Sequence, residues 1–304
     1  MKTIAVVTVN YKGIQDSIDF AVSMLGQKAL GIDFTINIVI VDNCSPDGSF
    51  SILSEHFKDS CLVKTIMSDR NGGYAYGINY GIKYALANSK PDYILVINND
   101  VIASPDLLSY LIQAIEKTDS CVPVAITGKM LYYNEPGKIW FAGGYFSRFR
   151  CMGIHIGIGK PDSQAYNTPR ELTFITGCMW FFRTSFVESI GFMPEEYFMY
   201  FEDVDYSLRV LKTGGKLLYE PRAVIWHKVG ASSASSKIDY FFPNRNRIYL
   251  ARKYLSKREK FFFIFFFIVS RFIKLIQFFF KGKIVNTFKG IKQGFTMRIM
   301  VDQK

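Results

Sequence analysis

Five apolar, β-rich runs, at residues 4–9, 36–41, 62–67, 93–97 and 122–127, alternate with stretches of helical character, and this alternation constrains the fold more than any other feature. Strands that alternate with helices build a mostly parallel sheet with helices packed on its faces. One helix opens at Ser104 and Pro105, with Pro at its favoured first position, and runs towards Lys117. A sheet of this kind takes ligands outside the carboxyl ends of its strands, where strand order reverses. The first four runs end in polar clusters, TVNYKG, VDNCSPDGS, SDRNGG and INND, which together read as one rim built for a polar ligand.

The sequence has no G-x-x-x-x-G-K-[ST] loop and no G-x-G-x-x-G after a strand, so P-loop and dinucleotide chemistry lose support. A G-x-S-x-G elbow is absent too. In NGGYAYGINYGI, Gly73, Gly77 and Gly81 recur every four residues and clear one helix face, either for a strand or for a phosphate at the helix start. Residues 129–173, rich in Gly and aromatics and without helical period, read as a hairpin or loop region over one end of the sheet.

FMYFEDVDYSLR, at 198–209, crowds Glu202, Asp203 and Asp205 into four positions. Carboxylates that close raise one another's pKa unless a cation, a donor or water relieves them. A helix beginning near Glu202 supplies a structural account, with Val204, Leu208 and Leu211 on a buried face and Asp205 paired with Arg209 at i,i+4. Acids in the first turn also suit the helix dipole.

The net charge of +11 is concentrated: residues 241–304 hold 15 Lys or Arg against Glu259 and Asp302, a balance of +13 that leaves −2 for residues 1–240. Nucleic acid is therefore not an expected partner. The tail contains FFFIFFFIVSRFIKLIQFFF at 261–280, whose second half is interrupted by Arg271, Lys274 and Gln277. A helix lying in the plane of an anionic membrane surface, its cations snorkelling, fits better than a span. The alternative is an apolar helix that closes the core of the preceding domain. Five scattered cysteines without metal-ligand spacing point to a reducing compartment. MKTIAVVTVNYKG lacks the pattern of a secretory leader, so a cytoplasmic protein with a buried first strand is expected.

With TVNYKG, VDNCSPDGS, NGGYAYGINYGI, LVINNDV, TGCMWFFRTSFVESIGFMPEEYFMYFEDVDYSLRV and AVIWHKVGAS in this order, the chain resembles an inverting glycosyltransferase of family 2 over roughly residues 3–255. The resemblance is greatest to the rhamnosyltransferase-like branch and implies the GT-A nucleotide-sugar-binding α/β fold. The expected organisation is a catalytic domain at 1–240, with a nucleotide-sugar half at about 1–128 and an acceptor half at about 129–240, followed by a basic, Phe-rich helical tail at 241–304.

Carried over by position, the resemblance implies that Asp42 accepts a hydrogen bond from a pyrimidine base, with Thr8 and Asn10 lining the same pocket and Asn71 and Gly73 against the nucleotide. Asp100 matches the metal-binding acid of the family's D-x-D signature, while Asn98 replaces its first acid. His227 matches a second position that reaches the divalent cation, Mg²⁺ or Mn²⁺, whose role is to neutralise charge on the departing diphosphate. Asp203 matches the catalytic base, flanked by Glu202, and Phe198, Tyr200 and Phe201 offer faces to an acceptor sugar. The implied activity is transfer of L-rhamnose from dTDP-rhamnose to a hydroxyl of a lipid-linked glycan, by an enzyme peripheral on the inner face of the cell membrane. The alternatives are a family 2 transferase using a UDP-sugar, or a non-catalytic nucleotide-sugar or glycan-binding protein of the same fold.

Overall fold

The computed structural model describes residues 1–229, 240–280 and 284–300, with 273–280 described through their backbone only. The chain opens with β1 (Lys2–Asn10), α1 (Ile14–Leu25), β2 (Phe34–Asp42), α2 (Ser49–His56), β3 (Val63–Met67), α3 (Tyr74–Asn88) and β4 (Tyr93–Ile97). Its strands lie parallel in the order β3-β2-β1-β4. β1, β2 and β4 are nearly unbroken apolar runs because both sheet faces are covered there, whereas the edge strand β3 alternates buried and exposed residues. β1 pairs with β2 from Lys2–Phe34 through to Asn10–Asp42, so the two polar ends emerge side by side. β1 has β2 on one side and β4 on the other, which makes this the point of strand-order reversal. α3 approaches through its glycines: a Cβ on Gly77 would stand 2.9 Å from Val9, and one on Gly81 2.5 Å from Val7. Close packing on the strands therefore accounts for both residues.

The second half adds β5 (Val101–Ala103), α4 (Leu107–Glu116), β6 (Val124–Tyr132), β7 (Ile139–Phe141), the hairpin of β8 (Gly144–Ser147) and β9 (Met152–His155), and β10 (Arg170–Leu172). It continues with β11 (Met179–Arg183), α5 (Ser185–Ile190), α6 (Glu202–Lys212) and β12 (Lys216–His227). The α/β fold with a mostly parallel sheet is present, with antiparallel pairing confined to β11 and the short strands β5, β7 and β10 in the large sheet. Two boundaries differ from the sequence reading. α4 begins at Leu107 rather than Pro105, because Ser104 to Leu107 close a turn with a 3.1 Å backbone bond. β6 runs on to Tyr132, drawing Lys129 into the sheet, where its ammonium meets Asp162 at 2.9 Å.

The chain then forms α7 (Phe241–Tyr254), α8 (Lys257–Phe280) and α9 (Ile284–Thr296). α7 buries every residue from 244 to 251. α9 crosses it closely enough that a Cβ on Gly290 would stand 2.4 Å from the Phe241 carbonyl, and Arg252 donates to the Gly294 and Met297 carbonyls. α8 has two sides: Phe263 and Phe267 join the core, whereas Phe261, Phe265, Ile268 and Phe272 stand exposed. No helix among the described residues is long and apolar enough to cross a membrane.

Candidate active site

The ends of β1 and β2 form the first corner. Asn10 and Asp42, register partners in the parallel pair, are joined by a 2.7 Å bond from Asn10 Nδ2 to Asp42 Oδ2. Asp42 Oδ1 accepts from the Ser45 amide at 2.8 Å, and Asn10 Oδ1 accepts from Gly13 N and Ser17 Oγ, each at 3.0 Å. Asn99 Nδ2 donates to Ser17 Oγ at 2.8 Å and so ties the end of β4 to this corner. Thr8 lies two residues back on the same side of β1, fully buried, with no hydrogen-bond partner for its Oγ1 among the described residues.

Asn71 Oδ1 accepts from Asn43 Nδ2 and from the Gly73 amide, both at 3.1 Å, which braces the turn into α3. Gly73 has φ +92°, and a Cβ there would lie 2.1 Å from the Phe198 carbonyl oxygen. The turn thus needs glycine to admit the loop before α6, a reason invisible in the motif itself.

Asp100 and His227 are brought together by β12. It pairs antiparallel with β5 so that His227 stands opposite Val101, and His227 Nε2 lies 3.2 Å from Asp100 Oδ1. Lys228, the next residue, donates its amide to the Asp100 carbonyl and its ammonium to Asp16 and Asp19 of α1. Trp140 of β7 stands edge-on to the His227 ring, with centroids 4.3 Å apart. Asn98 is half-buried, and its Oδ1 has no hydrogen-bond partner among the described residues. A carboxylate and an imidazole suit a divalent cation completed by phosphate and water oxygens. No group of three or more His, Cys, Asp or Glu able to hold a metal occurs among the described residues.

The acidic cluster divides into three environments. Asp205 is fully buried and held by Tyr197 Oη (2.6 Å), Tyr254 Oη (2.7 Å) and Lys253 Nζ (2.9 Å). Arg209, its expected i,i+4 partner, stands at 3.8 Å, so the main relief comes from α7 instead. Asp203 accepts from the Gly177 and Val204 amides, both at 2.8 Å. Desolvation pushes it up to about 6, against the pull of those bonds, and the side chain is half-buried. Glu202 is buried with no hydrogen-bond partner for Oε2 among the described residues, and burial followed by the Asp203 charge pushes it up to about 8. On α6, Val204 is buried as expected, but Leu208 and Leu211 are half-buried, and Tyr206 and Val210 form the deepest part of the face.

Residues 176–178 connect the Asp100–His227 corner to Asp203. The Asn98 amide donates to the Cys178 carbonyl at 3.0 Å, while the Gly177 amide holds Asp203. Tyr74, which the sequence reading passed over, donates its hydroxyl to the Gly177 carbonyl at 2.6 Å. Burial first, then Cys178, Glu202, Asp203 and Asp100 when ionised, raise its pKa well above the usual phenol value. Of the aromatics offered to an acceptor, Tyr200 is exposed, Phe201 is half-buried, and Phe198 stacks on Phe242 at 4.9 Å.

The model of the family described as "Glycosyl transferase family 2" matches residues 3–191. The chain is 23% identical over 244 residues to an N-acetylglucosaminyl-diphospho-decaprenol L-rhamnosyltransferase of Mycobacterium tuberculosis, covering 74% of this chain and 77% of that protein. It is 26% identical over 242 residues to rhamnosyltransferase WbbL of Escherichia coli K12, covering 73% and 90%. Among solved structures, GalNAc-T7 with UDP, GalNAc and Mn²⁺ superposes with a TM-score of 0.67 at 16% identity, over 86% of this chain but only half of that one. TarS 1-349 of S. aureus with UDP gives 0.55 at 16% identity, over 83% of this chain and 64% of that one. These two likenesses concern the fold.

Proposed function

This chain belongs to glycosyltransferase family 2, and on that footing we propose that it is an inverting, cation-dependent transferase of L-rhamnose from dTDP-rhamnose to a hydroxyl of a lipid-linked glycan. The observation that carries the reading is Asp203: a partly solvated carboxylate aimed by two backbone amides and tied through residues 176–178 to the Asp100–His227 corner. In this role Asp203 removes the proton from the attacking hydroxyl. The Asp42 corner receives the base, with Thr8 and Asn10 beside it and Asn71 and Gly73 towards the rest of the nucleotide. Asp100 and His227 would hold Mg²⁺ or Mn²⁺, which supplies neutralisation of diphosphate charge when bound. Asn98 offers that cation an amide oxygen where an acid is usual.

The names of the mycobacterial and E. coli relatives support the sugar, and the mycobacterial name supports a lipid-linked acceptor. The exposed Phe face of α8, together with the tail's +13 balance, supports a peripheral position on the cytoplasmic face of an anionic membrane. A UDP-sugar remains the alternative donor, because a contact from Asp42 does not distinguish uracil from thymine.

Thermal unfolding of the chain with dTDP, UDP or GDP, each with and without Mn²⁺, tests the core of this assignment. The largest rise is expected for dTDP with Mn²⁺, lost in Asp42→Ala. If no nucleotide raises the midpoint, the assignment fails.

A further inference from the structure

Phe198, Tyr200 and Phe201 have φ of 63°, 68° and 75°. Residues with a Cβ avoid this left-handed region, and a run of bulky aromatics there persists only where the surroundings over-determine it. α7 supplies those surroundings. Asn246, which is 1% exposed, donates from Nδ2 to the carbonyls of Tyr197 (3.0 Å), Met199 (2.8 Å) and Tyr200 (2.8 Å). Its Oδ1 accepts from Arg245 Nε at 2.7 Å, which fixes the amide's orientation, since the carbonyls only accept. Arg245 Nη2 reaches the carbonyls of Glu196 (3.0 Å) and Tyr197 (2.6 Å). From the opposite side, the Tyr74 amide donates to the Phe198 carbonyl at 2.8 Å. The loop is clamped between α3 and α7. It also starts α6, because the Phe201 carbonyl accepts from the Asp205 amide at 3.0 Å.

We propose that Asn246, oriented by Arg245, is a positioning residue that holds the loop at 197–201, with Phe198, Tyr200 and Phe201 left-handed, and thereby keeps Glu202 buried and Asp203 only partly open to solvent. The consequence for transfer rests on Asp203 as the base; the burial of the pair does not. The titratable groups that share this space are the two carboxyls on α6, Tyr74 from α3, Cys178 from the segment before β11 and Asp100 beyond β4.

The readout follows from linkage. Glu202 and Asp203 keep their protons to higher pH in the folded chain than in the unfolded one. Stability is therefore full below the ordinary carboxylate range and falls as pH rises towards about 8. Thermal unfolding of the full chain between about pH 5 and 8.5 is compared for wild type, Asn246→Ala, Arg245→Lys and Arg252→Ala. Arg252 ties α9 to α7 and serves as a control for destabilisation alone. The wild-type midpoint should decline with pH. Asn246→Ala should lower the midpoint and lose more than about half of that decline, Arg245→Lys should lie between, and Arg252→Ala should lower the midpoint but keep the decline. If Asn246→Ala does not fold, Arg245→Lys carries the comparison.

A wild type without the decline, variants of Asn246 and Arg245 that keep it, or an Arg252→Ala that loses it equally would overturn the proposal. With dTDP-L-rhamnose as the probe of turnover, Asn246→Ala should lower kcat by about 10²-fold at nearly unchanged donor KM. A change in KM alone removes the catalytic consequence. Full turnover in Asp203→Asn removes the base assignment and leaves the pH result standing.

Discussion

Glu202, Asp203 and Asp205 share one helical turn, yet their partners give them different chemistry. Asp205 is tied into the core by Lys253 and two tyrosines, Asp203 is aimed by amides, and Glu202 is buried without a partner for Oε2 among the described residues. Asp203→Asn keeps the shape but cannot accept a proton. Transfer should fall by about 10²–10⁴-fold while nucleotide affinity is nearly unchanged, and turnover within a few-fold of wild type would remove Asp203 from the base role. The wild-type rate should rise as pH climbs through about 6, where Asp203 loses its proton. Glu202→Gln mimics a protonated glutamate and should cost little turnover while removing most of the decline in midpoint between about pH 5 and 8. If Glu202→Gln is the dead variant and Asp203→Asn the live one, the roles are exchanged.

At the scale of elements, the Gly73 turn and the loop before α6 must fit together. Gly73→Ala combines a strained φ of +92° with a Cβ 2.1 Å from the Phe198 carbonyl, so it should lose roughly 1–3 kcal/mol or more in denaturant titration. Gly48, at φ +78°, has nothing within 4 Å of a built Cβ. Gly48→Ala should therefore cost only about 1 kcal/mol of backbone strain. Equal losses at the two sites would show that crowding against Phe198 is unimportant.

The same elements explain what the sequence could and could not announce. Strands buried on both faces print long apolar runs, and the polar residues that end them, Asn10, Asp42 and Asp100 among them, stand out in the sequence as a rim. Asn246 left no comparable mark, because its partners are main-chain carbonyls that exist at every residue. Aromatic residues at 198, 200 and 201 gave no warning of positive φ, since local propensity points the other way. The sequence pairs Asp205 with Arg209 inside its own helix, because the partners that hold it more closely, Lys253 and Tyr254, lie 48 and 49 residues further on.

Across the whole molecule, the proposed membrane association would have α8 divide its residues between stability and attachment. Phe263→Ala should cost about 3–5 kcal/mol in unfolding experiments and leave vesicle binding nearly intact, because its ring is buried. Replacing the exposed Phe265 and Phe272 by Glu should do the opposite and abolish sedimentation with phosphatidylglycerol-containing vesicles. High salt should weaken wild-type binding without eliminating it, since screening acts on the charges and leaves the apolar face intact. Retention through alkaline carbonate washing would instead indicate a span. A chain ending at Ser256 loses the burial of Phe263 and Phe267, worth roughly 1.5–3 kcal/mol each, together with the α9 contacts on α7. Its unfolding midpoint should drop accordingly, and an unchanged midpoint would show these helices to be energetically separate.

The clamp by α7 also orders events in time. Domains form as the chain leaves the ribosome, N-terminal parts first. The Asn10–Asp42 corner needs only β1 and β2, so it can close early. The seat of Asp203 waits for a helix that begins at Phe241. A nascent chain halted before α7 would then display the Asn10–Asp42 corner beside an unset loop at 197–201. Limited proteolysis of ribosome-stalled chains should cut that loop until Asn246 has emerged, and protection before that point would show that the loop sets itself.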